Sequence, residues 1–305
     1  MVIKHIVLSG GGSGGYAIYG ALKYLSKENF WNINDIESIY ATSIGAMLGI
    51  FIALKYDWDS LDDYLIKRPW DKIINIKPDD IIDAWTEKGI FKEDVIQKMI
   101  NPLLLAKELS ETITILEFYE FTKVDLHIFT TNISESVLKE VDMNYKTHPN
   151  LELYKAIAMS CAVPILFSPI YYDNNYYIDG GLLNNFPLQT CLNHRYNKNE
   201  IMAIRINSKN INNYIDISNS NLITYTIGLI EGMRRYITKE YMINDISNII
   251  LCKIENNSMT TWKDGLTNPE IRKSLINIGI NDAKEFLKEM DLPEGINPTM
   301  DETLL

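Results

Sequence analysis

The chain has 305 residues, 46% of them hydrophobic, and a formal net charge of −11 at neutral pH. This length and apolar content suffice for one large α/β domain or for a domain with an appended region. The acidic balance argues against a nucleic-acid-binding protein, which would show a basic surface, and it offers no bulk attraction to anionic membranes.

The cysteines and the apolar segments indicate the cellular compartment and the relation of the protein to membranes. Cys161, Cys191 and Cys252 are widely spaced and form no CxxC or Cys/His zinc pattern. We therefore expect a reducing, cytoplasmic or intracellular compartment and no bound metal. No signal peptide is expected, because glycines interrupt the first apolar segment early. The longest apolar run, residues 44–54, is shorter than the ~20 residues that span a bilayer, so membrane contact would be peripheral.

The N-terminal part of the chain predicts the beginning of a parallel α/β sheet. Residues 2–8 have the pattern of a buried strand, glycines follow at 10–15, and a helical pattern comes next. A second strand pattern at 36–40 leads through Ser43 into an apolar helix at 44–54. This order of elements is typical of parallel sheets whose strands are connected by helices.

The remaining elements are predicted from shorter patterns, and no internal repeat or clear linker is found. Residues 57–123 are mostly helical in pattern, and the tail after Pro293 is expected to be loosely ordered. The elements in between are a strand at 125–132, a helix at 151–159, hairpin arms at 170–172 and 176–178, a strand at 201–206, a loop at 207–220, a helix at 221–243, a strand at 248–254 and helices to about 290.

Ser43 lies in the run Ala41-Thr42-Ser43-Ile44-Gly45, between the second strand and the helix after it. A serine at a sharp strand-to-helix turn among small residues is typical of a nucleophile elbow. The turn lifts the hydroxyl clear of the sheet, and the start of the helix directs free backbone N–H groups and a positive partial charge towards it. The sequence therefore predicts a nucleophilic serine at position 43.

The loop Gly10-Gly11-Gly12-Ser13-Gly14-Gly15 has two interpretations. It satisfies GxGxxG after a strand and before a helix, as in dinucleotide-binding folds. Those folds need an acidic residue at the end of the second strand, whereas Asp35 and Glu37 lie near its start. The alternative is an oxyanion hole, in which glycine N–H groups stabilise a tetrahedral intermediate by ~3 kcal/mol per donor. The neighbouring serine favours the oxyanion hole.

A nucleophilic serine needs a general base. Of the four histidines, only His194 follows the order serine, aspartate, histidine found in α/β-hydrolases, and it lies in a polar stretch that reads as an exposed helix end. Asp179 is better placed, because it ends a hairpin arm and precedes Gly180 and Gly181. Asn184 and Asn185 follow closely and could orient its carboxylate.

Together these motifs resemble the patatin-like phospholipase family. The resemblance covers about residues 4–190, and its motifs are Gly10–Gly15, Thr42–Gly45, Ser160–Pro169, Asp179–Gly181 and Asn184–Pro187. It implies a three-layer α/β/α fold with a mostly parallel central sheet and a nucleophile elbow. Residues 4–190 would form the catalytic domain, and residues 191–305 would complete or cap it.

The resemblance also implies the chemistry. Ser43 would be the nucleophile, Asp179 the general base, and the loop of Gly10, Gly11, Gly12, Ser13, Gly14 and Gly15 the oxyanion hole. Ala41, Thr42, Ile44, Gly45, Gly180 and Gly181 would support the two motifs. The activity would be hydrolysis of fatty-acyl esters of phospholipids or other lipids at a membrane or micelle surface, without cofactor, metal or nucleic acid.

The chain departs from the family pattern at two positions. Ala41 replaces the first glycine of the elbow, and Gly14 stands where many bacterial relatives carry arginine. These departures keep open a non-catalytic lipid-binding or scaffolding protein with the same fold. The third alternative is a dinucleotide-dependent enzyme that uses the glycine loop.

Tryptophans and charges between residues 57 and 85 allow a further hypothesis. Trp58, Trp70 and Trp85 could line an acyl pocket, or they could belong to the core. The segment Lys67–Lys72 mixes charges with an aromatic residue and could touch a membrane. A solvated surface turn is the better interpretation of this segment.

Overall fold

The computed structural model describes residues 2–74, 78–208, 222–239, 246–254 and 264–290. An eight-stranded, mostly parallel sheet runs through this part of the chain, and helices cover both of its faces. The predicted three-layer α/β/α fold is thus confirmed.

The central sheet has the order β10-β9-β1-β2-β4-β8-β7, and β5 also pairs with β4. The strands from β10 to β4 are parallel, whereas β5 and β8 run antiparallel to β4. A separate pair joins β3 to β6. The strands are β1 (His5–Leu8), β2 (Ser38–Thr42), β3 (Gly89–Phe91), β4 (Asp125–Asn132), β5 (Lys139–Met143), β6 (Ile165–Phe167), β7 (Ile170–Tyr172), β8 (Asn175–Asp179), β9 (Ile201–Ser208) and β10 (Ile249–Ile254).

The helices connect these strands and bury both faces of the sheet. They are α1 (Gly15–Lys27), α2 (Ile44–Ala53), α3 (Trp58–Asp62), α4 (Trp70–Ile73), α5 (Pro78–Glu87), α6 (Glu93–Leu105), α7 (Ile115–Thr122), α8 (Leu153–Cys161), α9 (Leu188–Asn193), α10 (Leu222–Lys239) and α11 (Pro269–Met290). One face packs in the large core with α1, α2, α8 and α11. On the other face, Val7 and Tyr40 pack with Leu188 and Cys191 of α9.

The register of the central strands decides which residues meet at the carboxyl edge. Thr42 of β2 lies opposite Phe129 of β4. The next residue of β4, Thr130, lies opposite Asp179 of β8. The sheet therefore holds Ser43, directly after Thr42, and Asp179 at the same level on either side of β4.

Helices α1 and α11 approach each other through two glycines. A Cβ atom on Gly20 would lie 2.1 Å from the carbonyl oxygen of Ile276, and one on Gly279 would lie 1.8 Å from that of Ala17. Such distances leave no room for a side chain, so the two backbones are in direct contact. Through this contact α11 packs against the helix that follows the glycine loop.

Most predicted elements are confirmed, with three additions. The hairpin is present as β7 and β8, joined by Asp173 and Asn174 at φ 46° and 60°, which is typical of a type I′ turn. Strands β3, β5 and β6 were not predicted, and β9 extends two residues into the predicted loop at 207–220. The rest of that loop and the tail after Pro293 lie outside the described residues.

The tryptophans have different environments. Trp70 is 2% exposed and donates its indole N–H to the carbonyl of Leu65, so it belongs to the core. The Arg68 guanidinium covers the ring of Trp70 at 5.0 Å. The segment Lys67–Lys72 is thus only partly the solvated surface turn that was expected, because α4 begins at the buried Trp70. A buried Trp70 cannot serve as the membrane contact considered for this segment. Trp58 packs at the border of the core, and Trp85 is exposed.

Candidate active site

Ser43 occupies a strained backbone position between β2 and α2. Its φ of 54° and ψ of −124° are rare for a residue with a side chain. The helix begins directly after it, and the N–H groups of Ala46 and Met47 donate to the Ser43 carbonyl. Gly45 makes this turn possible, since a Cβ atom there would lie 2.7 Å from the carbonyl oxygen of Ser9. The sharp elbow predicted from the sequence is thus present.

Ser160 stabilises the backbone of the elbow through hydrogen bonds, a role that we did not predict. Its hydroxyl accepts the N–H of Ser43 at 2.8 Å and donates to the carbonyl of Phe129 at 2.6 Å. Ser160 is fully buried near the end of α8. Because a conformation as strained as that of Ser43 persists only where its surroundings fix it, this pair of hydrogen bonds holds the candidate nucleophile in place.

The glycine loop runs beside Ser43. A Cβ atom on Gly10 would lie 3.2 Å from the Cβ of Ser43, so the backbone passes next to the hydroxyl-bearing carbon. Gly11 and Gly12 have φ values of 155° and 53°, and the N–H of Gly14 donates to the carbonyl of Gly11. Ser13 is buried in the turn, and its hydroxyl makes no hydrogen bond in the described structure.

Packing within the chain explains why the loop needs several of its glycines. A Cβ atom would lie 2.1 Å from the Ile206 side chain at Gly11 and 2.3 Å from it at Gly14. At Gly15 it would lie 2.2 Å from Ile44, the residue after the nucleophile. At these positions the loop packs closely against β9 and the start of α2, so a side chain there would force Ile206 or Ile44 to move.

Asp179 is held at the end of β8 by backbone contacts on both sides. Its N–H donates to the carbonyl of Ala162, and its own carbonyl accepts the hydroxyl of Thr131 at 3.1 Å. The carboxylate accepts the N–H of Gly181 at 2.6 Å and caps the short helical turn that follows. Gly180 must be glycine, because a Cβ atom there would lie 2.2 Å from the carbonyl oxygen of Phe129.

The environment of Asp179 raises its pKa to about 6. Burial is the largest cause, because the carboxylate loses hydration. Hydrogen bonds from Ser43 and from the Gly181 N–H oppose this rise. The two sequence-predicted residues are therefore within hydrogen-bonding reach, and the aspartate is ionised at neutral pH.

Two charged residues of α10 also act on Asp179, and they were not predicted. The helix contacts the Gly180–Leu182 turn. Arg234 lowers the pKa of Asp179, and Glu231 raises it. The two side chains form an ion pair of 2.7 Å, so the pair brings both signs of charge to the site.

The two asparagines after the aspartate have different roles. Asn185 accepts the Gly10 N–H at its carbonyl and donates its side-chain amide to the Gly10 carbonyl at 3.3 Å. A Cβ atom on Gly181 would lie 2.7 Å from the Asn185 amide oxygen, so this side chain bridges the glycine loop and the aspartate turn. Asn184 instead donates its amide to Glu140, and its carbonyl accepts the Thr42 hydroxyl. The expectation that Asn184 orients Asp179 is wrong.

His194 lies in a network of aromatic and titratable side chains. It contacts the Tyr40 hydroxyl at 3.0 Å and packs edge-on to His127. His127 is held by Asp142 at 2.7 Å. Burial lowers the pKa of His127, but the carboxylates of Asp125 and Asp142 outweigh it and raise the pKa to about 9. These contacts account for His194 without a role at Ser43.

Comparisons with known proteins agree with this geometry. The family model described as patatin-like phospholipase matches residues 6–192. The chain belongs to the patatin-like phospholipase family. It is thus a hydrolase that acts on carboxylic esters.

Individual relatives extend the likeness. The chain is 31% identical over 231 residues to "Probable lipid hydrolase 463L" of Invertebrate iridescent virus 6, covering 72% of this chain and 77% of that protein. It is 26% identical to "Uncharacterized protein R571" of Acanthamoeba polyphaga mimivirus, covering 70% and 73% of the two chains. The structure of VipD from Legionella pneumophila matches with a TM-score of 0.56 at 15% identity, covering 94% of this chain and 67% of that one, which shows a shared fold.

Both departures from the patatin-like pattern are accommodated by packing. Ala41 is fully buried in the large core between Leu8 and Ile128, so its methyl group does not face the approach to Ser43. A side chain at Gly14 would collide with Ile206 and Ile254. These two isoleucines occupy the space that an arginine at position 14 would need.

The described residues lack two kinds of feature. No helix among them is long and apolar enough to cross a membrane. Nor do they contain a cluster of three or more His, Cys, Asp or Glu side chains that could hold a metal ion.

Proposed function

We propose that the protein is a lipid acyl hydrolase that cleaves fatty-acyl esters of phospholipids through a Ser43–Asp179 dyad. Asp179 accepts the proton of the Ser43 hydroxyl as its oxygen attacks the ester carbonyl. The tetrahedral oxyanion is stabilised by backbone N–H groups of the glycine loop at Gly11 and Gly12. The proton passes to the departing alcohol, and an acyl-enzyme remains on Ser43.

The second half of the reaction restores the enzyme. Asp179 accepts a proton from a water molecule, which attacks the acyl-enzyme carbonyl. The same N–H groups stabilise the second oxyanion. Its collapse breaks the bond to the Ser43 oxygen, which takes the proton back from Asp179, and the fatty acid is released.

One observation supports the proposal most strongly. A buried aspartate with a raised pKa lies within hydrogen-bonding reach of a serine held in a strained elbow. Perturbed titratable groups beside an activated nucleophile are typical of catalytic sites. The name of the viral relative, a probable lipid hydrolase, supports the choice of a lipid ester as substrate.

The test is hydrolysis of phosphatidylcholine in mixed micelles, with fatty acid and lysophospholipid measured by mass spectrometry. We expect Ser43→Ala and Asp179→Asn to lose at least about a thousandfold in kcat, as removal of a nucleophile or its base does elsewhere. His194→Gln is the matched control and should retain kcat within a few-fold. Full activity of folded Ser43→Ala would contradict the proposed dyad, whereas absence of any product from the wild-type protein would favour a lipid-binding role.

A further inference from the structure

Helix α10 has an unusual outer surface. Five large apolar side chains are exposed on it to between 39% and 76%: Leu222, Tyr225, Leu229, Met233 and Tyr236. At 100° per residue they fall within an arc of roughly 80° of the helix circumference. None of the charged positions of α10 falls within that arc. In a surface helix this side would ordinarily carry polar residues.

The other side of α10 faces the candidate active site. Glu231 and Arg234 lie on the side of the helix opposite to the apolar arc, and both act electrostatically on Asp179. The helix also contacts the Gly180–Leu182 turn directly after Asp179. The apolar arc is thus the outer side of an element whose inner side borders the proposed catalytic dyad.

More apolar side chains protrude beyond the same edge of the sheet. Strand β4 ends at Asn132, past the level of Asp179, and the N–H of Ile133 donates to the carbonyl of Tyr176. Tyr171 and Tyr176 are 54% and 50% exposed, with ring centroids 5.0 Å apart. Aromatic side chains of this kind are enriched where proteins meet the headgroup region of a membrane.

We propose that the outer side of α10 docks on an electrically neutral phospholipid surface and thereby brings the Ser43 site to its substrate. This proposal rests on the proposed function. The occupant is a lipid surface because the arc lies on the outer side of the helix that borders the site receiving the acyl chain, and because exposed tyrosines lie at the same edge of the sheet. The surface is zwitterionic because the arc contains no cation and the chain has a net charge of −11, which anionic lipid would repel.

The experiment measures sedimentation of the full chain with vesicles. The background is Ser43→Ala, so that hydrolysis does not change the lipid. The docking variant is Leu229→Gln/Met233→Gln/Tyr236→Gln, because glutamine keeps helix propensity. The control is Val2→Gln/Phe121→Gln, which removes apolar residues 50% and 51% exposed just before β1 and β4, at the opposite edge of the sheet.

We expect the background protein and the control to bind phosphatidylcholine vesicles equally. The docking variant should bind at least roughly tenfold more weakly, because three apolar side chains no longer leave water. Binding should be insensitive to salt and should weaken when phosphatidylserine is added. Circular dichroism and thermal unfolding establish that the docking variant is folded.

Three results would overturn the inference. One is equal vesicle binding by the docking variant and the control, and another is absence of vesicle binding altogether. The third is a protein that light scattering shows to be a dimer and that becomes a monomer in the docking variant but not in the control, with vesicle binding unchanged. A second copy of the chain would then cover the arc. Ser43-dependent hydrolysis of a water-soluble short-chain ester by the wild type tests the proposed function separately, so the two failures are distinguishable.

Discussion

The protonation state of Asp179 decides at which pH the Ser43 hydroxyl can lose its proton. The pKa of this carboxyl is raised to about 6, chiefly by burial. As a general base the residue must be ionised, so the proposed mechanism is active above this pH and inactive well below it. Arg234 and Glu231 adjust the value in opposite directions.

This pair allows a test of the base by pH dependence. We expect kcat/KM on a short-chain ester to fall as the pH is lowered through about 6. Arg234→Gln removes the charge that lowers the pKa of Asp179, so the acidic limb should move to higher pH. Glu231→Gln removes the charge that raises it, so the limb should move to lower pH. If the acidic limbs of the two variants stay at the wild-type pH, or if both shift in the same direction, a group other than Asp179 titrates.

At the scale of elements, the site depends on how α8, β4 and the elbow are tied together. Ser160 lies 117 residues from Ser43 in sequence, yet it accepts the Ser43 N–H and donates to Phe129 of β4. A local sequence pattern shows the strand, the turn and the helix, but it does not show which distant side chain fixes the turn.

Substitution of Ser160 measures this anchoring. Ser160→Ala removes the acceptor of the buried Ser43 N–H and one donor to the Phe129 carbonyl, and a buried group left unsatisfied costs about 1–3 kcal/mol. We expect lower thermal stability and a kcat at least about tenfold lower, measured below the unfolding transition. Ser168→Ala, which removes another buried hydroxyl that donates to a backbone carbonyl, is the matched control and should retain kcat. Unchanged kcat in both variants would show that the backbone conformation of Ser43 does not depend on the Ser160 hydroxyl.

At the scale of the whole molecule, the C-terminal part is joined to the rest through α11. Arg272 is 2% exposed, and its guanidinium donates to the carbonyls of Ile66, Arg68, Gly265 and Leu266. One side chain thus connects α11 with the turn after α3 and with the residues before α11. The planar, five-donor guanidinium suits this role better than an ammonium group.

We therefore expect Arg272→Lys to lower the free energy of unfolding by about 3 kcal/mol, because several buried carbonyls lose a charged donor. Urea denaturation followed by circular dichroism measures the loss. Lys273→Gln is the control next to it in sequence. Among the described residues, Lys273 forms an exposed ion pair with Glu270, and its replacement should change stability by less than about 1 kcal/mol. Equal stability of the two variants would contradict the proposed role of Arg272 in joining α11 to the rest of the molecule.

The sequence predicted the parts of the molecule that local patterns encode. The parallel strands, the elbow at Ser43 and the turn at Asp179 follow from apolar runs interrupted by glycines. Strands β3 and β6 are too short for periodicity, and β5 reads as polar because it is half exposed. The bridge from Asn185 to the glycine loop spans 175 residues, so only the tertiary structure reveals it.

The most direct test of the central claim is to trap the acyl-enzyme. Wild-type protein is mixed with a short-chain phospholipid, quenched in acid within the first turnovers and analysed by intact and peptide mass spectrometry. The proposed mechanism predicts an added acyl group on the peptide that contains Ser43, absent in Ser43→Ala and greatly reduced in Asp179→Asn. An acyl group on another residue, such as Cys161, whose thiol interacts with both Ser43 and Asp179, would contradict the mechanism. Lipid turnover by Ser43→Ala at the wild-type rate would contradict it as well.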